Sequence, residues 1–332
     1  MQKKIIEHLR IAVSSACNLR CGHCYVPIES RVNATKYLES LIPMQDIIKL
    51  LKKLKEEYSL KKISISGGEP LFDVNWDRTK DLLAFARDNN LRVQLNTNGN
   101  GNVDIKKVME LMQGKQDLID FHVSLDSDDE KFVDSFRGKE GTFQNAIKQI
   151  KSMVSNELSV KVRYTVCKSN KDRVLSTYKL ISDIGVKFFL IKPVFSSGTA
   201  LNKQELFLNK QEYKNIQINL ANSSIGNNTK CEFPQPVFFT LDECEKNVNV
   251  KILTCNCGSS ALYLSDDGNL YPCTYLVGAA GHSDYKMGNI KTDMNKIEKI
   301  WNSENELLEF RDSQKKCPTF DILNRVMICS EQ

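Results

Sequence analysis

Again and again the chain runs from a short β-type segment into a helix-like one, and this alternation limits the fold more than any other property of the sequence. Strand-like runs lie at Leu9 to Val13, Lys62 to Ser66, Leu91 to Leu95, Ile119 to Leu125, Ser159 to Val166 and Lys187 to Ile191. Helix-like stretches run from about Met44 to Tyr58, near Thr79 to Asn89, and from about Thr142 to Val154. In the first of these, Ile47, Ile48, Leu51 and Leu54 share one face. Asn170 is placed to cap a further helix. Six such units suit an α/β fold, a partial (β/α)6 barrel of the TIM type, in which functional groups gather at the C-terminal ends of the strands. The expected organisation is a barrel over residues 1–200 and a linker or insertion over 201–250, followed by a second domain over 251–332. Within the linker, Gln211 to Leu220 looks helical and Ala221 to Thr229 looks like a flexible loop.

Chemistry enters where the first strand ends. Cys17, Cys21 and Cys24 follow it with the spacing C-x3-C-x2-C. Three soft sulfur ligands on one short loop suit an iron-sulfur cluster, which in its cubane form keeps one iron free of protein. A zinc site would want a fourth Cys or His at finger or ribbon spacing, and a disulfide would leave an odd thiol. The second strand runs straight into Gly67-Gly68-Glu69-Pro70. Glycines let backbone approach a ligand closely, and a carboxylate beside them can accept hydrogen bonds from an ammonium group. An ordinary strand-end turn is the plain alternative.

A second cysteine region starts at Cys255 and Cys257. Asp266-Asp267-Gly268-Asn269 separates two β-type runs and reads as a hairpin that returns Cys273 close to one of them. Cys317 and Cys329 arrive after a helical stretch near Ile297 to Phe310. Four converging thiolates would satisfy a second cluster without an open iron, or a zinc ion. Cys167 ends the fifth strand and reads as a small buried residue, while Cys231 and Cys244 flank Phe233-Pro234-Gln235-Pro236. Eleven cysteines without an export signal point to metal ligands in a reducing cytoplasm. The net charge of +5 is small against 46 basic and 41 acidic side chains. It argues for neither nucleic acid nor membrane, and leans weakly toward an acidic peptide. No run of about 18 apolar residues is present to span a bilayer.

Taken together, Cys17-x3-Cys21-x2-Cys24 and Gly67-Gly68-Glu69-Pro70 resemble the radical S-adenosylmethionine superfamily, and the second cysteine region resembles its SPASM or shortened twitch subgroup. The resemblance covers nearly the whole chain. It implies a 4Fe-4S cluster on Cys17, Cys21 and Cys24, with the amino and carboxylate groups of S-adenosylmethionine on the open iron. Reduction would then release methionine and a 5'-deoxyadenosyl radical that takes a hydrogen atom from substrate. Gly67, Gly68, Glu69, Pro70, Asn98, Asp126 and Lys192 are implied cofactor-site residues, and Ser124 and Arg137 are implied to hold the methionine carboxylate. Ser127 stands where the peptide-modifying branch usually has glycine. His23 is expected to pack over the cluster, and His122 to be core or barrel-lining.

The hairpin resembles the family pattern of Cys, about ten residues, Gly-x4-Cys. The dense run of cysteines that completes a full SPASM domain is missing, so one auxiliary cluster of the 4Fe-4S type is expected. Cys255 fits one part of that pattern and Cys257 another, and the choice between them stays open. A thiol at Cys231 or Cys244 would be a hydrogen-atom donor of the kind family epimerases use.

The expected substrate is a ribosomally made precursor peptide, modified by epimerisation, thioether formation or carbon-carbon crosslinking. A flavodoxin or ferredoxin is the expected reductant. Only eight residues precede the first strand, so no fused leader-recognition domain is expected there, and a separate recognition protein or direct recognition would be needed. A small-molecule or side-chain dehydrogenase of the same superfamily is the alternative enzyme class. A non-catalytic metal-binding scaffold is the third.

Overall fold

The computed structural model describes residues 5–27, 40–302 and 317–324. Cys329 and the helical stretch expected beyond residue 302 lie outside the described residues. The strands are β1 (His8–Ala12), β2 (Lys62–Ser66), β3 (Arg92–Thr97), β4 (Ile119–Ser124), β5 (Ser159–Val166) and β6 (Phe188–Pro193). They are followed by β7 (Lys230–Pro234), β8 (Val250–Leu253), β9 (Ala261–Leu264), β10 (Asn269–Tyr271) and β11 (Gly288–Asn289). All belong to one sheet in the order β11-β10-β9-β1-β2-β3-β4-β5-β6-β7-β8. Strands β1 to β8 pair in parallel, β9 adds in parallel to the free edge of β1, and β10 and β11 are antiparallel.

Helices α1 (Met44–Tyr58), α2 (Asp73–Asp88), α3 (Ile105–Leu111), α4 (Glu130–Arg137), α5 (Thr142–Ser155), α6 (Val174–Asp183) and α7 (Lys210–Asn222) occupy the crossovers, as parallel pairing requires. Short helices α8 (Ile290–Asp293), α9 (Ile297–Asn302) and α10 (Pro318–Leu323) follow. Helix α1 turns Ile47, Leu50, Leu51 and Leu54 inward and ends on Ser59 in the left-handed region. Helix α7 starts with a capping box between Asn209 and Glu212. Residues 201–250 thus contribute a helix and strand β7, which carry the parallel sheet on past β6. Asn170 opens a short 3-10 turn, but its side chain makes no cap bond. Its Oδ1 accepts from Cys167 N at 2.7 Å, and its Nδ2 donates to Asp126 O at 3.0 Å and Thr165 O at 2.9 Å, which ties the ends of β4 and β5 together.

The period-two pattern of the strands decides what the barrel encloses. Leu9, Ile11, Ile63, Ile65, Val93, Leu95, Phe121 and Val123 are buried in the apolar core shared with the helices. Their neighbours Arg10, Ser64, Gln94, Asn96, His122 and Arg163 line a cavity instead. A filled TIM barrel stacks branched apolar side chains in its centre. Here the centre is polar and holds a cavity of ≈ 840 Å³. Among the described residues no helix is long and apolar enough to cross a membrane.

Candidate cofactor and substrate cavity

The cysteine loop is built by backbone contact with three other segments. Gly68 N donates to Ser14 O at 2.6 Å and Glu69 N to Ala16 O at 3.0 Å, so the end of β2 lies on the start of the loop. A Cβ at Gly68 would stand 1.8 Å from Ala16 O, so only glycine allows this approach. From the other side, Arg20 N donates to Arg137 O at 3.0 Å and the His23 ring stacks on Phe136 at 4.4 Å, both at the end of α4. The third segment follows β6. Thr199 N donates to Cys24 O at 2.8 Å, and its hydroxyl donates to Cys21 O at 3.1 Å and Cys24 O at 3.0 Å. Gly198, at φ 61°, brings its Cα so close that a Cβ would meet Tyr25 C and O at 2.3 Å. Cys17, Cys21 and Cys24 are free thiols, and all three line the cavity.

Glu69 is 1% exposed, and both its carboxylate oxygens are engaged by the protein itself. Leu71 N at 3.0 Å and the Thr97 hydroxyl at 2.7 Å donate to Oε1, and Asn98 N donates to Oε2 at 2.6 Å. It therefore joins the ends of β2 and β3 while its glycine neighbours and Asn98 face the cavity. The Asn98 amide stands 3.7 Å from Cys17 Sγ and donates to Asn18 Oδ1 at 3.0 Å. Burial pushes the Glu69 carboxyl up to about 7, against the three donors that favour its ionised form. A group that holds its proton more tightly when folded stabilises the fold at low pH and loses that contribution as pH rises. Unfolding of the metal-free protein followed in urea should show a loss of stability on the order of 3 kcal/mol as pH rises through the window from the ordinary carboxylate range to about 7. In Glu69→Gln this slope should flatten, while an amide NH2 facing Asn98 N–H costs about 1–3 kcal/mol at every pH. An unchanged slope in the variant would assign the pH dependence elsewhere.

Arg137 reaches the cavity from the last turn of α4 and forms an ion pair with Asp126, which also accepts from Thr165 N at 2.9 Å. His23 Nε2 lies 3.7 Å from the same carboxylate. The Arg137 Nε is buried and has no hydrogen-bond partner among the described residues. Ser124 lines the cavity from the end of β4, and His122 lines it lower on the same strand, as a barrel-lining rather than a core residue. Burial holds the His122 pKa well down, so the ring is neutral. Pro70 stays in the turn, where its carbonyl accepts from the Thr79 hydroxyl at 2.8 Å. Lys192 is at the end of β6, where its ammonium meets the Tyr275 hydroxyl and lies 4.6 Å from the centre of that ring.

The second cysteine set opens into the same cavity. Cys255, Cys257, Cys273 and Cys317 all line it. Cys257 is in thiol contact with Cys255 and with Cys273, and Cys255 with Cys317, so both members of the Cys-x-Cys pair join one group. Arg10, on the strand that leads into the first cysteine loop, donates to Cys257 Sγ at 3.2 Å and to Asn256 Oδ1 at 2.7 Å. The Cys255 hydrogen bond, followed by the Cys273 bond and the Arg10 charge, holds the Cys257 thiol well below its usual pKa despite burial.

Cys231 and Cys244 are corrections to the sequence reading. Cys231 is fully buried on the outer face of β7, its thiol 3.7 Å from Leu220 O of α7, while its neighbour Glu232 turns into the cavity. Cys244 follows a 3-10 turn and lies 3.9 Å from Thr240 O. Neither lines the cavity. For Cys231 strand parity is the reason: with β7 paired in register with β6, its side chain points toward α7. Gly198, Thr199 and Arg10 were not singled out from sequence. Arg10 and the other inward residues do carry a signal, polar side chains at alternate positions of otherwise apolar strands.

The donors suit an iron-sulfur group at each set: thiols without disulfides, all lining the one cavity. Among the described residues no three Cys, His, Asp or Glu side chains close on a point within reach of a single ion, and a cubane is far larger than an ion. Comparison with known proteins agrees with this chemistry. Residues 255–320 match the SPASM iron-sulfur cluster-binding domain. The subtilosin biosynthesis protein AlbA of Bacillus subtilis is 22% identical over 324 residues, which are 94% of this chain and 65% of that protein. The chain thus spans just under two thirds of that relative. A GTP 3',8-cyclase of Thermodesulfovibrio yellowstonii is 29% identical over 287 residues, 81% of this chain and 82% of the cyclase. Streptococcus suis SuiB bound to S-adenosylmethionine shares the fold, with a TM-score of 0.69 at 17% identity, over 98% of this chain and 72% of SuiB. The radical SAM superfamily model matches residues 11–181, just over half of the sequence, so the chain belongs to the radical SAM superfamily and carries its S-adenosylmethionine and iron-sulfur chemistry.

Proposed function

We propose that the chain modifies a peptide by hydrogen-atom abstraction within its polar barrel cavity. The observation that carries this reading is that both cysteine sets open on one cavity of ≈ 840 Å³, so a substrate between them can face both. When bound at Cys17, Cys21 and Cys24, the reduced cluster and S-adenosylmethionine supply a 5'-deoxyadenosyl radical. The protein's part is to position and to exclude water. The Glu69 strut fixes Asn98 beside Cys17, Thr199 and Gly198 hold the loop backbone, and the apolar shell outside the strands supports the cavity walls. AlbA, a bacteriocin biosynthesis protein, and SuiB, which has been solved with its precursor peptide SuiA, support the peptide as substrate. The GTP 3',8-cyclases, which align over most of the chain, support a second reading in which the substrate is a small molecule.

Cys255, Cys257, Cys273 and Cys317 are proposed to hold one auxiliary cluster with no open iron. In Cys257→Ala/Cys273→Ala, iron should fall by about four atoms per chain while substrate-free cleavage of S-adenosylmethionine continues. Unchanged iron would remove the auxiliary cluster from the account. The substrate class is tested by co-expression with any short open reading frame found beside this chain's gene, followed by mass spectrometry and chiral amino-acid analysis. A new crosslink, a changed mass or a D-residue is expected. An untouched peptide together with turnover of GTP would favour the small-molecule reading.

A further inference from the structure

The cations of the barrel interior do not all have counter-charges. Arg137 is paired with Asp126, Arg92 with Asp120 and Lys161 with Glu232. Arg10 is turned to the cysteine thiols. Lys62, at the start of β2, donates to the neutral Gln94 Oε1 at 3.0 Å, and two cations on adjacent strands further along the sheet, Arg163 and Lys192, also have no carboxylate partner among the described residues. Arg163 on β5 donates to Asn96 Oδ1 at 2.7 Å, a neutral acceptor, and its buried Nε has no hydrogen-bond partner among the described residues. Lys192 on β6 meets the neutral Tyr275 through its hydroxyl and ring face, and forms no ion pair among the described residues. The two lie on adjacent strands, where Thr165 pairs with Lys192 two residues after Arg163; burial first, and then the Arg163 charge, weakens the hold of Lys192 on its proton. The nearest carboxylate, Asp126, is already committed to Arg137 and Thr165 N. A buried guanidinium keeps its charge, and a cation without an anion costs several kcal/mol, so an anion in the cavity would complete Arg163 and favour the protonated form of Lys192 beside it.

We propose that Arg163 and Lys192 form a receptor for a side-chain carboxylate of the peptide substrate, an Asp or Glu close in sequence to the residue that is modified. This rests on the peptide reading above and narrows it. Arg163 lines the cavity and its Nε is buried, so the terminal nitrogens of the guanidinium are what a carboxylate would meet, and Lys192 stands beside them on the next strand. The acceptor amide of Asn96 is itself held by Gln94 Nε2 at 2.9 Å, so the fork is fixed in direction before ligand arrives.

The test uses the reconstituted enzyme with S-adenosylmethionine on an array of random twelve-residue peptides. Peptides with Asp or Glu at one position should be captured about tenfold or more over their Asn or Gln counterparts. R163Q should lose that preference, and R163K, which keeps charge without the fork, should retain part of it. Iron content and circular dichroism of each variant show that it has folded. Equal capture of acid and amide peptides by an enzyme that still cleaves S-adenosylmethionine would overturn the receptor and leave the radical reading standing. Loss of S-adenosylmethionine affinity in R163Q, measured by equilibrium dialysis, would assign the guanidinium to the cofactor's carboxylate and also overturn it. GTP binding that depends on Arg163, without any acidic-peptide preference, would overturn it in favour of a phosphate ligand. Absence of S-adenosylmethionine cleavage in the wild type would remove both proposals.

Discussion

Replacing Cys17, Cys21 and Cys24 together by alanine is expected to remove about four irons per chain and to bring reductive cleavage of S-adenosylmethionine down to the no-enzyme background. The barrel itself should remain. The thiols sit on a loop whose path is set by backbone hydrogen bonds from Gly68, Glu69 and Thr199, none of which uses a sulfur atom. The apolar core under α1 to α7 does not include these side chains. Circular dichroism should therefore be nearly unchanged while 5'-deoxyadenosine disappears. Retained cleavage in the triple variant would place the open iron elsewhere.

The second large effect is expected from a residue that touches no sulfur. Gly198→Val puts a branched side chain at a φ of 61° and drives its Cβ into the backbone of Tyr25, where the contact would be 2.3 Å. The left-handed backbone alone costs about 1–2 kcal/mol. With the overlap added, the closed loop should be depleted roughly tenfold or more. Thr199 would move with it, and the carbonyls of Cys21 and Cys24 would lose their donor. Iron at the first cysteine set and S-adenosylmethionine cleavage should fall together, while the auxiliary iron persists. Equal losses from both cysteine sets would mean general unfolding instead, and wild-type values would mean that the β6 segment does not hold the loop.

The part of the site that was legible in the sequence is the part encoded locally. Cys17, Cys21 and Cys24 announce themselves by spacing, and Gly67 to Pro70 by following a strand directly. The β9–β10 hairpin was legible from Asp-Gly-Asn, and its Gly268 does adopt φ 90°. What was missed depends on pairs far apart in the chain. Thr199 bonds to Cys24 across 175 positions and Arg10 to Cys257 across 247. No local pattern marks either contact. Cys231 was misplaced for a related reason: its face follows from the register of β7 on β6, and β7 lies in a stretch without a clear strand signal. Glu69 shows a third limit. Its residue type suggests a ligand contact, but the donors that claim its carboxylate come from β3, whose end runs two residues further than its apolar pattern.

The account's central claim is that the tripod of Cys17, Cys21 and Cys24 leaves one iron open to S-adenosylmethionine in the shared cavity. Electron-nuclear double resonance on the reduced protein tests it most directly, with S-adenosylmethionine labelled by nitrogen-15 at the amino group and oxygen-17 at the carboxylate. Hyperfine coupling to both labels is predicted in the wild type and in the Cys257→Ala/Cys273→Ala variant, and none in the triple alanine variant. A cluster signal that carries no coupling to either label in the wild type would contradict it.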